Sequence, residues 1–295
     1  MNDTVYRALD GALAGDPAVL ASFGLERQTL SAPFWEERLS VDGAGQLRLR
    51  TRRSIADMSS EPIGEFSHEA GVEAVERLIR ALQGLPRTLP HAHVVLIDVR
   101  VLITVVAGGA AHTLVVGRNP DELAPLQPLL DELDRLSFLV RRSPVMSLEL
   151  EASVDGPVRA GAGPLPVLLR FKNAGDTGFW ITDPSSFPPE DRAECCALLY
   201  GFQVQPQPGF TPLPMEVRRA DALPSRSSSG GVGALLWVPG RSSVDRLIHT
   251  AVELNSVGLL SLRATWSSYA GDDTIGGRPR LRGCVFSNEL SVSVG

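Results

Sequence analysis

Apolar and polar positions follow two different rhythms along this chain, and the change falls near Pro144. Before it, stretches of helical period are interleaved with stretches of period two; after it, only period two remains. Residues 2–30 carry the first helical pattern. Asn2 or Asp3 caps a helix bearing Val5, Leu9 and Leu13, and Asp16-Pro17 opens a second, shorter helix that ends at Gly24. A hairpin follows. With Gly43-Ala44-Gly45 as a three-residue loop and Gly45 in the left-handed position, Val41 faces Leu47 and Leu39 faces Leu49. The same register pairs Glu36 with Arg52, Arg38 with Arg50 and Ser40 with Arg48 on the other face, so apolar and polar sides separate completely.

Ser67 is positioned to cap the next helix, whose stripe is Val72, Val75, Leu78, Ile79 and Leu82. Glu73–Arg77 and Glu76–Arg80 give i,i+4 pairs, and Gly84 stops it. A second hairpin spans about His93 to Gly117 and turns at Gly108-Gly109. It pairs Val105 with His112, Ile103 with Leu114 and Val101 with Val116, while Val95, Ile97 and Val99 continue the buried face. A last helix, regular from about Pro125, buries Leu126, Leu129, Leu130, Leu133 and Leu136. The economical arrangement of this ββα-ββα order is a four-stranded antiparallel sheet with helices on one face.

The fold class predicted is therefore α+β. Residues 1–140 form the first domain (1–30 a helical lead-in, 34–138 the ββα-ββα body), 141–145 a linker, and 146–295 an all-β sandwich. In the last, Met146, Leu148, Leu150, Ala152 and Val154 alternate with polar residues. Further strands are predicted near 165–172, 178–183, 196–204, 245–254, 257–266 and 284–294, with weaker ones near 214–219 and 234–238. Long loops at about 184–194, 220–233 and 267–283 cluster at its ends.

Composition narrows the function classes. The chain has 295 residues, 43% hydrophobic and 21% charged, which suits two packed cores. Net charge is −6, a balance that argues against nucleic acid or an anionic membrane as partner. No basic segment followed by an apolar run opens the sequence, and the run Val94–Gly109 is broken by Asp98 and Arg100. Neither a signal peptide nor a membrane span is expected. Three cysteines, two of them adjacent, do not make a disulfide framework, and a cytoplasmic location is the expectation.

Chemical motifs fail on spacing. His91 and His93 share a strand face, but His112, the nearest third ligand, lies on the order of 40 Å along the strand. His68-Glu69 lacks the second histidine of a zincin, since Val72 stands there. Cys195, Cys196 and Cys284 show no CxxC spacing, and the glycine clusters at 161–163 and 230–233 precede no helix of a βαβ unit. No catalytic residue, metal or cofactor is predicted.

Two surfaces remain as binding candidates. The loop 267–278 is glycine-hinged and combines Trp266, Tyr269, Asp272, Asp273 and Arg278. The first hairpin carries a basic stripe of Arg38, Arg48, Arg50, Arg52 and Arg53, suited to an acidic peptide or phosphates.

In the order of hairpin Arg38-Leu39-Ser40-Val41-Asp42-Gly43, helix Ser67–Leu82, hairpin Val95–Val116 and Leu-rich helix, residues 34–138 resemble emfourin-like domains. These are bacterial modules that include inhibitors of thermolysin-type metalloproteases. Ser31-Ala32-Pro33-Phe34-Trp35 stands where that family has a Gly-Gly-Phe-rich strand, so no inhibitory residue is carried over. Leu168–Asp176, with its Asn173-Ala174-Gly175-Asp176 turn, and the closing Gly283–Leu290 resemble bacterial Ig-like sandwiches, including the intracellular proteinase-inhibitor type. The resemblances imply a non-enzymatic, protein-binding or inhibitory role with another protein, such as a protease, as partner. The competing classes are a scaffold subunit of a larger assembly and an enzyme with a domain-junction site built from His91, His93 or the cysteines. Oligomeric state is left open.

Overall fold

A computed structural model describes residues 3–31, 34–52, 61–86, 100–116, 124–154, 156–162, 164–184, 198–202, 235–253, 258–268 and 272–295. The chain is mixed α+β and mostly strand, and it divides into two compact units: Met1–Ser54 with Gly64–Val145, and Ile55–Ile63 with Met146–Gly295.

The first unit opens with α1 (Asp3–Leu13) and α2 (Pro17–Ser22). Asp16 caps α2 by accepting from the Ala18 and Val19 amides, with Pro17 at its first position. The expected helical lead-in then ends early. Gly24–Ser31 is a strand, β1, and it lies inside the sheet. β2 (Phe34–Asp42) and β3 (Gln46–Thr51) form the first hairpin in the register read from the sequence, Val41 opposite Leu47 and Arg38 opposite Arg50. Gly45 holds φ 81°, and the Asp42 carboxylate accepts from the Ala44 and Gln46 amides.

Ser67 does not cap a helix. It lies in β4 (Ile63–Glu69), and α3 (Val72–Gln83) starts after Gly71 without a side-chain cap. Val72 is exposed, while Ala74, Val75, Leu78, Ile79 and Leu82 form the buried stripe. Glu76 pairs with Arg80 as expected, but Arg77 reaches Glu132, on the unit's last helix, rather than back to Glu73. β5 (Arg100–Ala107) and β6 (Ala110–Val116) pair as expected, Val105 opposite His112 and Val101 opposite Val116; His93–Val99 lie outside the described residues. After a 3₁₀ turn at Ala124–Leu126, α4 (Gln127–Val140) buries Leu129, Leu133, Leu136 and Val140.

This unit's sheet therefore has six described strands in the order β4-β3-β2-β1-β5-β6, not four. Leu25, Leu39, Leu47, Leu49, Phe66, Ile103, Val105 and Leu114 share one core with Val5 and Leu9 of α1 and with the stripes of α3 and α4. One sheet face is thus covered by helices and the other carries the polar row. The covered face also includes Arg27, 6% exposed. Its guanidinium donates to Glu37 Oε1 at 2.5 Å, to Ser137 Oγ at 2.7 Å and to Asp134. Arg141, in the expected linker, donates to Glu37 Oε2 at 2.5 Å. Burial pulls the Glu37 carboxyl upward, but the Arg27 and Arg141 guanidiniums outweigh it and hold the group below its ordinary value.

The second unit contains no α-helix among its described residues. Its strands are β7 (Pro144–Ser153), β8 (Pro164–Asn173), β9 (Phe179–Thr182), β10 (Leu198–Phe202), β11 (Leu235–Val238), β12 (Ser242–Glu253), β13 (Gly258–Ser268), β14 (Thr274–Ile275), β15 (Arg278–Pro279) and β16 (Gly283–Val294). β12-β8-β7 and β10-β13-β16 run antiparallel, β7 meets β16 in one parallel pair at Leu150–Ser287, and β9 pairs with β11. The alternation from Met146 holds, with Leu148, Leu150 and Ala152 buried among Phe171, Phe179, Trp266, Val285 and Val292. Buried Asn173 makes the expected turn. Its carbonyl accepts from the Ser147 and Gly175 amides, and its amide donates to the Thr177 and Pro239 carbonyls. The segment 267–283 is not one long loop: β13 runs on to Ser268, and β14 and β15 form a small hairpin across Gly276-Gly277, both at positive φ. The expected loops 184–194 (beyond Pro184) and 220–233 and the weak strand 214–219 fall outside the described residues.

Candidate functional site

Period two decides what β9 and β11 show to solvent. Phe179 and Ile181 on β9, and Leu236 and Val238 on β11, point into the core, so Trp180 and Trp237 point the other way. The two tryptophans are direct cross-strand partners, partly exposed, with ring centroids 5.0 Å apart and planes at 62°. This is the edge-to-face arrangement that aromatic quadrupoles favour. The Trp237 ring lies over Gly178, where an added Cβ would come within 2.5 Å of ring carbon Cζ2, so glycine leaves the space that the indole fills.

The β14–β15 hairpin supplies a cation. Arg278 places its guanidinium carbon 5.0 Å from the centre of the Trp237 ring, within cation–π range. Several bonds fix the hairpin. The Arg280 amide donates to Asp273 O (2.8 Å), and the Leu281 amide to Trp180 O (2.9 Å). Buried Arg280 donates to Thr182 Oγ1 at 3.1 Å, and the Thr182 hydroxyl meets Ser268 Oγ at 2.8 Å. A tryptophan pair with an arginine on it thus stands on an anchored platform.

Five residues of the expected 267–278 site are separated by this geometry. Trp266 is a correction: it is fully buried, and its indole N–H donates to Thr182 O at 3.0 Å, so it supports β9 from within. Tyr269 lies outside the described residues. Asp272 is exposed, whereas Asp273 is bound to Arg282 at 2.6 Å. Arg278 alone is brought against an aromatic ring. The tryptophans it joins were not predicted as site residues, although the apolar pattern around Phe179-Trp180-Ile181 and Leu236-Trp237-Val238 held the signal.

The basic stripe on the first unit is largely neutralised. Arg50 sits 3.3 Å from Glu65 and Arg38 3.6 Å from Glu26, while Arg52 is half-buried at the end of the described hairpin and Arg53 lies outside it. Exposed Arg48 lines a shallow concavity of about 380 Å³ with Glu26, Ser40, Asp42 and Thr104, where two carboxylates oppose the cation.

No group of three or more His, Cys, Asp or Glu able to hold a metal occurs among the described residues. Cys284 is buried against Thr265 Oγ1 (3.4 Å), and His91, His93, Cys195 and Cys196 fall outside the description. His68 Nδ1 lies 3.1 Å from Ser143 Oγ, and the Ser67 amide donates to Ser143 O, so this pair ties β4 to the turn after α4. No described helix is long and apolar enough to cross a membrane.

Comparison of the chain with protein-family models, curated proteins and solved structures finds no match.

Proposed function

We propose that this is a non-enzymatic protein-binding protein whose second unit docks a partner protein through the Trp180–Trp237–Arg278 platform. One observation carries the reading: two directly paired, partly exposed tryptophans, of which Trp237 lies over Gly178 and has an arginine stacked on it. Trp and Arg are enriched among the few residues that carry most of the binding energy at protein interfaces. The anchored hairpin lowers the ordering cost that binding would otherwise carry. The mixed α+β architecture supports the coarse fold class alone, and the emfourin-like and Ig-like resemblances enter here only as part of what is proposed. Within it, the action is inhibitory, with the rigid platform occluding a protease cleft.

The experiment has two arms. Full-length protein, wild type or carrying Trp237→Ala with Arg278→Ala, is used to capture partners from a bacterial lysate, and each is titrated against a thermolysin-type metalloprotease. The reading predicts a partner lost with the double variant, and dose-dependent inhibition by wild type only. A partner retained by the variant contradicts the platform; a variant-sensitive partner without inhibition removes the inhibitory part alone.

A further inference from the structure

Most sheet edges are guarded, because unpaired N–H and C=O groups invite another strand; charge, proline and bulges are the usual guards. Two edge strands, β12 and β6, differ in this respect. Among the described residues β12 pairs only with β8; it carries Asp245 and Arg246 and has a register shift between His249 and Glu253. Asp245 moreover accepts from Nε and Nη2 of Arg170, at 2.9 and 3.0 Å. β6 has none of these features. It reads Ala110-Ala111-His112-Thr113-Leu114-Val115-Val116, with no acidic residue, arginine, lysine or proline, and it pairs with β5 through seven residues without a shift. Burial keeps the His112 imidazole below its ordinary value, so the strand is uncharged at neutral pH. Among the described residues nothing pairs with its other side.

The hairpin turn fixes which backbone groups face outward. Ala107 pairs with Ala110 across the two-residue Gly108-Gly109 turn, both glycines at positive φ, so that closing pair exchanges hydrogen bonds. Alternation then turns the N–H and C=O of His112, Leu114 and Val116 toward β5, and those of Ala111, Thr113 and Val115 outward. The side chains of these three residues are exposed on the face opposite the helices. There they adjoin Val106, itself exposed, and the Thr104 hydroxyl, 3.0 Å from that of Thr113.

We infer that β6 is a self-association edge, which pairs antiparallel with β6 of a second copy about a two-fold axis at Thr113. That register opposes Thr113 to Thr113 and Ala111 to Val115 twice, three pairs with two bonds each, or about six backbone hydrogen bonds. The second copy is the occupant that the strand's own pattern specifies. Outward groups at 111, 113 and 115 are symmetric about their centre, and an uncharged strand meets an identical one without like-charge repulsion, as an isologous interface requires. The apolar patch of Ala111, Val115 and Val106 continues across the axis.

The test is sedimentation equilibrium of the full chain over the micromolar range, with wild type, Thr113→Lys, Thr113→Asp and an equimolar mixture of the two variants. Circular dichroism checks that each variant stays folded; the Thr113 side chain points to solvent, so the fold does not depend on it. Wild type is expected to dimerise. Each variant should weaken the dimer by roughly tenfold or more, because like charges meet on the axis, and the mixture should restore it. A monomeric wild type, or a dimer that both variants and their mixture leave unchanged, overturns the inference.

Discussion

Replacing Glu37 by Gln probes the buried ion network of the first unit. The substitution keeps the shape but deletes the charge and turns one acceptor into an NH2 donor, whereas both Glu37 oxygens accept, from Arg27 and from Arg141, each at 2.5 Å. Arg27 is only 6% exposed, so its charge would lose its most buried counter-ion. Removing one partner of a buried pair costs about 3–5 kcal/mol. Arg27 retains Ser137 and the largely exposed Asp134, which places the expected loss at the low end, about 3 kcal/mol. Urea unfolding followed by far-ultraviolet circular dichroism, with hydrogen exchange on peptides from β1, β2 and α4, measures it.

The pH dependence follows from the direction of the Glu37 shift. A carboxyl whose folded pKa lies below its unfolded value stabilises fully above the unfolded value and loses that contribution as pH falls through the folded one. The gap between wild type and Glu37→Gln should therefore be full at neutral pH and should close below the ordinary carboxyl value of 4.5. A loss under about 1 kcal/mol at neutral pH, the size of a surface pair, would refute the reasoning. The double substitution Arg27→Met with Glu37→Leu should recover part of the loss, since no buried charge is then stranded at Arg27.

Trp266→Ala should destabilise the second unit by about 3–5 kcal/mol, through the cavity left by a fully buried indole, read as a lower urea midpoint. Asn173→Ala strands the Ser147 and Gly175 amides and the Thr177 and Pro239 carbonyls, and about 2–4 kcal/mol is expected in the same assay. Gly178→Ala should push the Trp237 ring aside, changing the near-ultraviolet dichroism of the tryptophan pair and weakening partner capture while far-ultraviolet dichroism is unchanged.

What the sequence revealed depended on how local the cause was. Over their described pairs, both hairpins of the first unit are legible in the sequence, because a short turn sets register and one face must be apolar. β1 was hidden. The covered row of Leu25, Arg27 and Thr29 breaks the apolar alternation, since Arg27 is buried by virtue of Asp134 and Ser137, more than a hundred residues away. β4 escaped for a related reason: Ser67-His68-Glu69 resembles a helix start, and Phe66 is the one large apolar residue that β4 contributes to the first core. On the second unit, the expected segment holds Arg278, but its aromatic partner is Trp237 on β11, and Trp266 is buried. Position within β13 cannot reveal that this indole turns inward to Thr182, whereas period two around Trp180 and Trp237 does show that those rings turn outward.

Site-specific photo-crosslinking from position 274, on the same hairpin as Arg278, tests the docking platform most directly. A benzoylphenylalanine in place of exposed Thr274 is compared with one in place of Leu247, which is 56% exposed on β12. A discrete adduct with one partner protein is expected from position 274, suppressed when Trp180 and Trp237 are both changed to Ala, and no such adduct from position 247. The same adducts from both positions, or an adduct at 274 that survives loss of both tryptophans, would contradict the platform.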